Sequence, residues 1–218
     1  MCDKILNICK ESKSLEKLND IHQIIPERHF HDHIYILYDL RTLLGDEKKV
    51  YTEIGSYVGH SAKLILSHPN KTEVICIDPL ILNKEHYKGT ITQYDTLKKN
   101  IGETNVTIYK NYSQDKELLK KLKNDNFRTD ILFIDGSHLY QDVINDFNNY
   151  CEFVNKDGYI IFDDYLDNIY SPDVKKAVDY LVKNLDTNKY EIIGNLANVK
   201  NTNIKLDGLL NEFIIRIK

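Results

Sequence analysis

Val50-Tyr51-Thr52-Glu53-Ile54-Gly55-Ser56-Tyr57-Val58-Gly59-His60 runs from an apolar, β-branched stretch into two nearby glycines. The first half predicts a strand over Val50 to Ile54, and the glycines predict a tight turn out of it. The same rhythm recurs downstream. Glu73 to Ile77 and Asn105 to Tyr109 read as strands. Ile131 to Ile134 and Tyr159 to Phe162 are apolar throughout, as strands covered on both faces must be. Between them lie helical stripes. One is Leu139, Val143, Phe147, Tyr150, Cys151 and Val154; another is Val174, Ala177, Val178, Leu181 and Leu185. Gly158, after Lys156-Asp157, reads as a turn from helix into strand. Strand and helix alternating this way predict right-handed βαβ units and a parallel sheet with helices on both faces. The end differs. Tyr190 to Ile193 and Phe213 to Ile217 are strands joined by an Asn-rich link containing Gly208, and they predict an antiparallel pair at one edge. Ile5 to Ile25 and His31 to Leu44 predict two helices before the first strand.

Composition narrows the function. The chain has 218 residues, 42% hydrophobic and 28% charged, enough for one sizeable core. No apolar run approaches the roughly 18 to 20 residues that span a bilayer, so no membrane role is expected. Met1 to Lys10 lacks the apolar stretch of a secretory signal. Cys2, Cys9, Cys76 and Cys151 form no C-x-x-C pair and read as reduced thiols, so a cytoplasmic location is expected. Net charge is -4, which disfavours nucleic acid as a partner. Lys98-Lys99 and Lys120-Lys121-Leu122-Lys123 read as solvated helix faces.

The turn carries the first chemistry. A dinucleotide fingerprint requires a glycine two before Gly55, where Glu53 stands. A carboxylate there repels a pyrophosphate and tolerates a cationic ligand. Asp78 closes the second strand, about 20 residues beyond the turn, where an acid can take both hydroxyls of a ribose. The alternative use of these residues is a turn alone for the glycines and a helix cap for Asp78. The whole pattern resembles the class I S-adenosylmethionine-dependent methyltransferases, whose first motif is acid-x-Gly-x-x-x-Gly. The resemblance covers Tyr51 to Lys218. It implies a Rossmann-like doubly wound sheet of about seven strands, and S-adenosylmethionine bound by Glu53, Gly55, Ser56, Gly59 and Asp78. In Asn111-Tyr112-Ser113-Gln114-Asp115, Ser113 and Gln114 resemble the adenine-side segment of catechol O-methyltransferase-like enzymes; Ser113 also reads as a helix N-cap.

Acids at two strand ends carry the second chemistry. The fourth strand runs into Asp135-Gly136-Ser137-His138, and the fifth into Asp163-Asp164. Adjacent strands lie about 4.8 Å apart, so these carboxylates can converge and then need a cation between them. Oxygen ligands suit Mg²⁺, with Mn²⁺ or Ca²⁺ as substitutes. Helix capping or loop initiation remain alternative uses for these acids. Ile134-Asp135-Gly136-Ser137-His138, followed by Tyr140, Val143 and Asp146, is similar to the metal-dependent sugar O-methyltransferases of the macrocin and mycinamicin group, in methyltransferase family 24. That resemblance implies Asp135, Asp163 and Asp164 as metal ligands, Asp135 also against the cofactor, and His138 as general base. Tyr140, Asp146 or a water are the other candidates for the base.

The expected activity is therefore transfer of a methyl group from S-adenosylmethionine to a hydroxyl of a sugar or small polyol. Its rivals are a metal-free N- or C-methyltransferase, a Rossmann-type nicotinamide or nucleotide-sugar enzyme, and a silent scaffold. Residues 1–48 read as a helical extension or lid and 49–218 as the core of one methyltransferase domain. The partner is a small molecule, and a homo-oligomer stays open. His29, His31 and His33 have spacing unsuited to one helical face, and with His86 and Tyr87 they are placed near the acceptor opening without an assigned role.

Overall fold

A computed structural model describes residues 5, 14–25, 34–81, 92–196 and 211–218. Its helices are α1 (Ser14–Ile24), α2 (Tyr35–Leu43), α3 (His60–Leu66), α4 (Gln93–Ile101), α5 (Lys116–Asn124), α6 (Tyr140–Tyr150) and α7 (Pro172–Asn184). Its strands are β1 (Lys49–Ile54), β2 (Thr72–Ile77), β3 (Val106–Tyr109), β4 (Thr129–Ile134), β5 (Val154–Phe162), β6 (Tyr190–Asn195) and β7 (Phe213–Ile217). They form one sheet in the order β3-β2-β1-β4-β5-β7-β6. The first five strands of that order pair in parallel, and β7 pairs antiparallel with both β5 and β6. This is the mostly parallel, doubly wound sheet that the alternating pattern predicts.

Alternation along each strand divides the core in two. Tyr51, Ile131, Phe133 and Ile161 face one layer with Leu37 and Leu40 of α2, Leu64 of α3 and Leu97 of α4. Ile54, Leu132, Ile134 and Ile160 face the other with Leu118 of α5, Phe147 of α6 and Val178 of α7. Both faces are thus covered, which is why the central strands tolerate unbroken apolar runs. The strand order reverses between β1 and β4, so a crevice opens beyond their carboxyl ends, where ligands bind in such sheets.

Two readings are corrected here. The apolar stripe ending at Val154 is broken: α6 stops at Tyr150, a short 3-10 turn covers Cys151–Phe153, and Val154 already belongs to β5. Gly158 lies inside that strand. Asp157 takes φ +68° beside it, the β4–β5 register shifts there, and a Cβ on Gly158 would come within 2.7 Å of the Asp130 carbonyl. The glycine marks a bulge with close backbone approach, which a turn signal in sequence resembles. The link after β6, with Gly208, lies outside the described residues, as do Cys2, Cys9, His29, His31, His33, His86 and Tyr87.

Candidate active site

Gly55 follows β1 at φ +86°, and a Cβ on it would lie 1.9 Å from the Asp135 carbonyl oxygen. No side chain fits, because the backbone of Asp135 and Gly136, leaving the neighbouring β4, lies against it. Gly59 also has positive φ, but its missing side chain makes room for Ile101 and Leu97 of α4, at 2.6 and 2.8 Å from the ideal Cβ. Between the glycines, the Ser56 and Tyr57 amides donate to Asp78 Oδ2 at 2.8 and 2.9 Å. The Leu80 amide donates to Asp78 Oδ1 at 2.7 Å. Tyr57 and Leu80 both hold left-handed backbones, at φ +44° and +51°, an unusual state for bulky residues. The Asp78 carboxylate therefore gathers three amides and fixes two strained residues around the mouth of the crevice. It caps no helix among the described residues.

The crevice has a volume of about 610 Å³, within the usual range for a site holding a ligand of cofactor size. Asp78, Asp135, Asp142 and Asp146 line it, and no Lys, Arg or His does among the described residues. Such a wall favours a cationic ligand and repels a pyrophosphate. Ser113 Oγ donates to Asp146 Oδ1 at 2.6 Å, and Gln114 Nε2 donates to Asp142 Oδ1 at 2.9 Å. Ser137 Oγ donates to the other Asp142 oxygen at 2.6 Å. Asp146 is 1% exposed, and burial pushes its carboxyl up to about 7, with the Ser113 hydrogen bond pulling the other way. The N-cap of α5 is Asp115, which accepts from the Glu117 and Leu118 amides, so Ser113 is free of capping duty and faces the crevice.

Glu53 lies on the opposite face of β1 from Ile54, wholly buried, and it does not line the crevice. Tyr51 and Ser61 donate to its Oε2 at 2.9 and 2.6 Å, and Cys76 Sγ approaches Oε1 at 3.4 Å. Burial raises its carboxyl above the ordinary range while the Ser61 and Tyr51 hydrogen bonds oppose that rise. Ser56, buried in the turn, contributes its amide to Asp78.

At the ends of β4 and β5, ligand atoms of Asp135, His138 and Asp164 lie within 4.8 Å of one another. His138 Nε2 stands 3.5 Å from Asp135 Oδ1 and 3.6 Å from Asp164 Oδ2. Asp164 takes φ +56° and is held by Ser171 Oγ at 2.9 Å and Asn211 Nδ2 at 3.3 Å. Asp163 does not join this trio. It is buried, its amide continues the β4–β5 ladder to the Ile134 carbonyl at 3.1 Å, and successive strand residues point to opposite faces. Neither Asp135 nor His138 caps α6, whose N-cap is Leu139. The two carboxylates offer the oxygen donors that fit a divalent cation. His138 Nε2, buried beside both without a hydrogen-bond partner among the described residues, can accept a proton there.

Residues 52–165 match the family described as a methyltransferase domain, methyltransferase family 24. The chain belongs to this family. Among relatives of the methyltransferase, protein R132 of Acanthamoeba polyphaga mimivirus is 39% identical over 87% of this chain and 89% of its own length. Two solved structures share the fold. CalS11, a TDP-rhamnose 3'-O-methyltransferase of calicheamicin biosynthesis, superposes with TM-score 0.60 at 14% identity, over 99% of this chain and 92% of its own. MycE of the mycinamycin pathway, in complex with Mg, SAH and mycinamycin VI, gives TM-score 0.58 at 16% identity. That match covers 92% of this chain and 54% of MycE. The methyltransferase is thus a class I enzyme dependent on S-adenosylmethionine, and the nicotinamide and scaffold rivals fall. No described helix is long and apolar enough to cross a membrane.

Sequence reasoning named Asp146 as an alternative base but missed Asp142, Ser171 and Asn211. Asp142 and Asp146 share one face of α6 at i, i+4 spacing, a signal open to reading once the crevice is located. Ser171 and Asn211 lie far along the chain, and only the fold brings them to Asp164.

Proposed function

We propose that this methyltransferase moves the methyl group of S-adenosylmethionine to a hydroxyl of a sugar or similar small polyol, with a divalent cation at Asp135 and Asp164. The observation that carries the reading is the meeting of Asp135, His138 and Asp164 at the rim of a crevice walled by acids. S-adenosylmethionine supplies a positively charged sulfonium whose methyl is the reacting group. Asp78 stands at the strand end suited to the ribose, and Ser113 and Gln114 to the adenine side. Gly55 keeps the crevice floor open at the β4 end. Glu53 acts on the ligand's ammonium only through the turn it underlies, since its carboxylate is engaged with Tyr51 and Ser61.

Asp135 and Asp164 would hold the cation, Mg²⁺ or Mn²⁺; it would supply Lewis-acid polarisation of the acceptor hydroxyl. His138 then accepts the acceptor's proton at Nε2, which faces both carboxylates. The crevice walls orient the donor and exclude water, so that alignment provides much of the rate. CalS11 acts on a TDP-sugar and MycE binds Mg and SAH, which supports the polyol acceptor and the cation. Ile21 and Ile25 pack on Val58 of the turn, which supports residues 1–48 as an extension of a single domain whose core is 49–218.

A screen of nucleotide sugars and small glycosides with Mg²⁺, read by mass spectrometry for gain of one methyl group, tests the reading. Methylated product that disappears with chelator supports it. Transfer indifferent to chelator returns the enzyme to metal-free chemistry, and methylation only of amines refutes O-transfer.

A further inference from the structure

Ser171 is 1% exposed and stands at the N-cap of α7, followed by Pro172, where a serine ordinarily caps the helix with its hydroxyl. Here the hydroxyl makes no capping bond. It lies instead 2.9 Å from Asp164 Oδ2 and 2.8 Å from His138 Nδ1. A carboxylate can only accept, so the single hydroxyl proton goes to Asp164. The remaining contact then requires Nδ1 to carry a proton and donate it to Oγ. In the neutral form of the ring that is its single proton, and the lone pair is then on Nε2.

We infer that Ser171 is a positioning residue that locks His138 in the Nδ1–H tautomer, leaving Nε2 as the proton acceptor at the Asp135–Asp164 rim. This rests on the proposed reading for its catalytic meaning, but the tautomer itself does not depend on it. Ser171 also ties two requirements together. The same oxygen steadies a carboxylate of the cation site and selects which nitrogen of the base is available, so cation and base share one scaffold. An imidazole left unrestrained can place its proton on Nε2, and the base is then blocked where it is needed.

The test is long-range ¹H–¹⁵N correlation spectroscopy on full-length, histidine-labelled protein at pH 8 without added metal. The signal is assigned by its disappearance in His138→Gln. Wild-type His138 is expected to carry a proton at Nδ1, and its neutral form to be bare at Nε2. Ser171→Ala should lose that preference, and Ser171→Thr, which keeps a hydroxyl, should restore it. Because no capping bond is lost, Ser171→Ala should remain folded. With an acceptor from the screen, Ser171→Ala should lower kcat about tenfold with KM for S-adenosylmethionine unchanged, less than the roughly 10²–10⁴-fold a positioned base contributes because the base itself is retained. A wild-type His138 bare at Nδ1, or a tautomer unaltered in Ser171→Ala, overturns the inference; the first holds even if the variant does not fold. Titration with Mn²⁺, followed by water-proton relaxation, separates the two claims. A wild type that binds no Mn²⁺ refutes the cation site while leaving the tautomer result standing.

Discussion

Replacing Asp78 with Asn tests whether one carboxylate builds the mouth of the cofactor crevice. The native side chain accepts from the Ser56, Tyr57 and Leu80 amides at 2.8, 2.9 and 2.7 Å. An Asn of the same shape offers one carbonyl oxygen and one NH₂ group. With the oxygen turned toward Ser56 and Tyr57, the NH₂ meets the Leu80 amide donor to donor; the opposite orientation spoils two contacts. At least one charge-assisted bond is lost and two are weakened, so the cost is about 2–4 kcal/mol, since each such bond contributes roughly 1.5–3 kcal/mol. For a domain of this size that lowers the melting temperature by about 5–15 °C. The left-handed Tyr57 and Leu80 then lose their anchor and relax, which moves the turn. Thermal unfolding and calorimetry with S-adenosylhomocysteine read the two effects separately, the expected loss of affinity being at least tenfold. A variant that melts within about 2 °C of the wild type refutes the reasoning about the three amides. One that melts lower yet binds S-adenosylhomocysteine unchanged confines Asp78 to the fold and removes it from the ribose.

Asp135→Asn and Asp164→Asn should each reduce Mn²⁺ affinity by at least about tenfold; full affinity in both variants, by water-proton relaxation, discards the cation site. Asp146 should make stability fall as pH rises. Its folded carboxyl is raised to about 7, so the native state holds the proton that the unfolded chain has already released, and stability present in acid is lost between ordinary carboxylate values and about pH 7. The loss is on the order of 2–4 kcal/mol, and Asp146→Asn should flatten the dependence; parallel melting curves for both proteins from pH 5 to 8 contradict it. Arg41 is wholly buried and donates to Thr72 Oγ1 and to the Gly45, Glu47 and Lys71 carbonyls. Arg41→Met strands those acceptors, costing about 3–5 kcal/mol, while S-adenosylhomocysteine affinity at low temperature stays unaltered; a melting temperature equal to the wild type's contradicts this.

The sheet was readable because burial on both faces leaves apolar runs such as Ile131 to Ile134 that no helix pattern explains; the strand order, reversing between β1 and β4, came only with the fold. Glu53 shows where such reading stops. Its spacing from Gly55 is visible in the sequence, but strand alternation puts its carboxylate on the face opposite Ile54, among Tyr51, Ser61 and Cys76. The pair Asp163-Asp164 shows the same limit. Two adjacent acids look equivalent in sequence, yet one continues the β4–β5 ladder and the other turns through a left-handed backbone toward His138. Ser171 was hidden because Ser-Pro is a good helix start, and only coordinates reveal a hydroxyl diverted to another task.

β7 lies between β5 and β6, although it is made after both. During synthesis the flank of β5 must therefore wait uncovered until residues 213–217 have cleared the ribosome. Asn211, which steadies Asp164, arrives with them. A polypeptide halted before that point would pair only the five parallel strands, leave β6 without its neighbour, and hold Asp164 with one partner fewer.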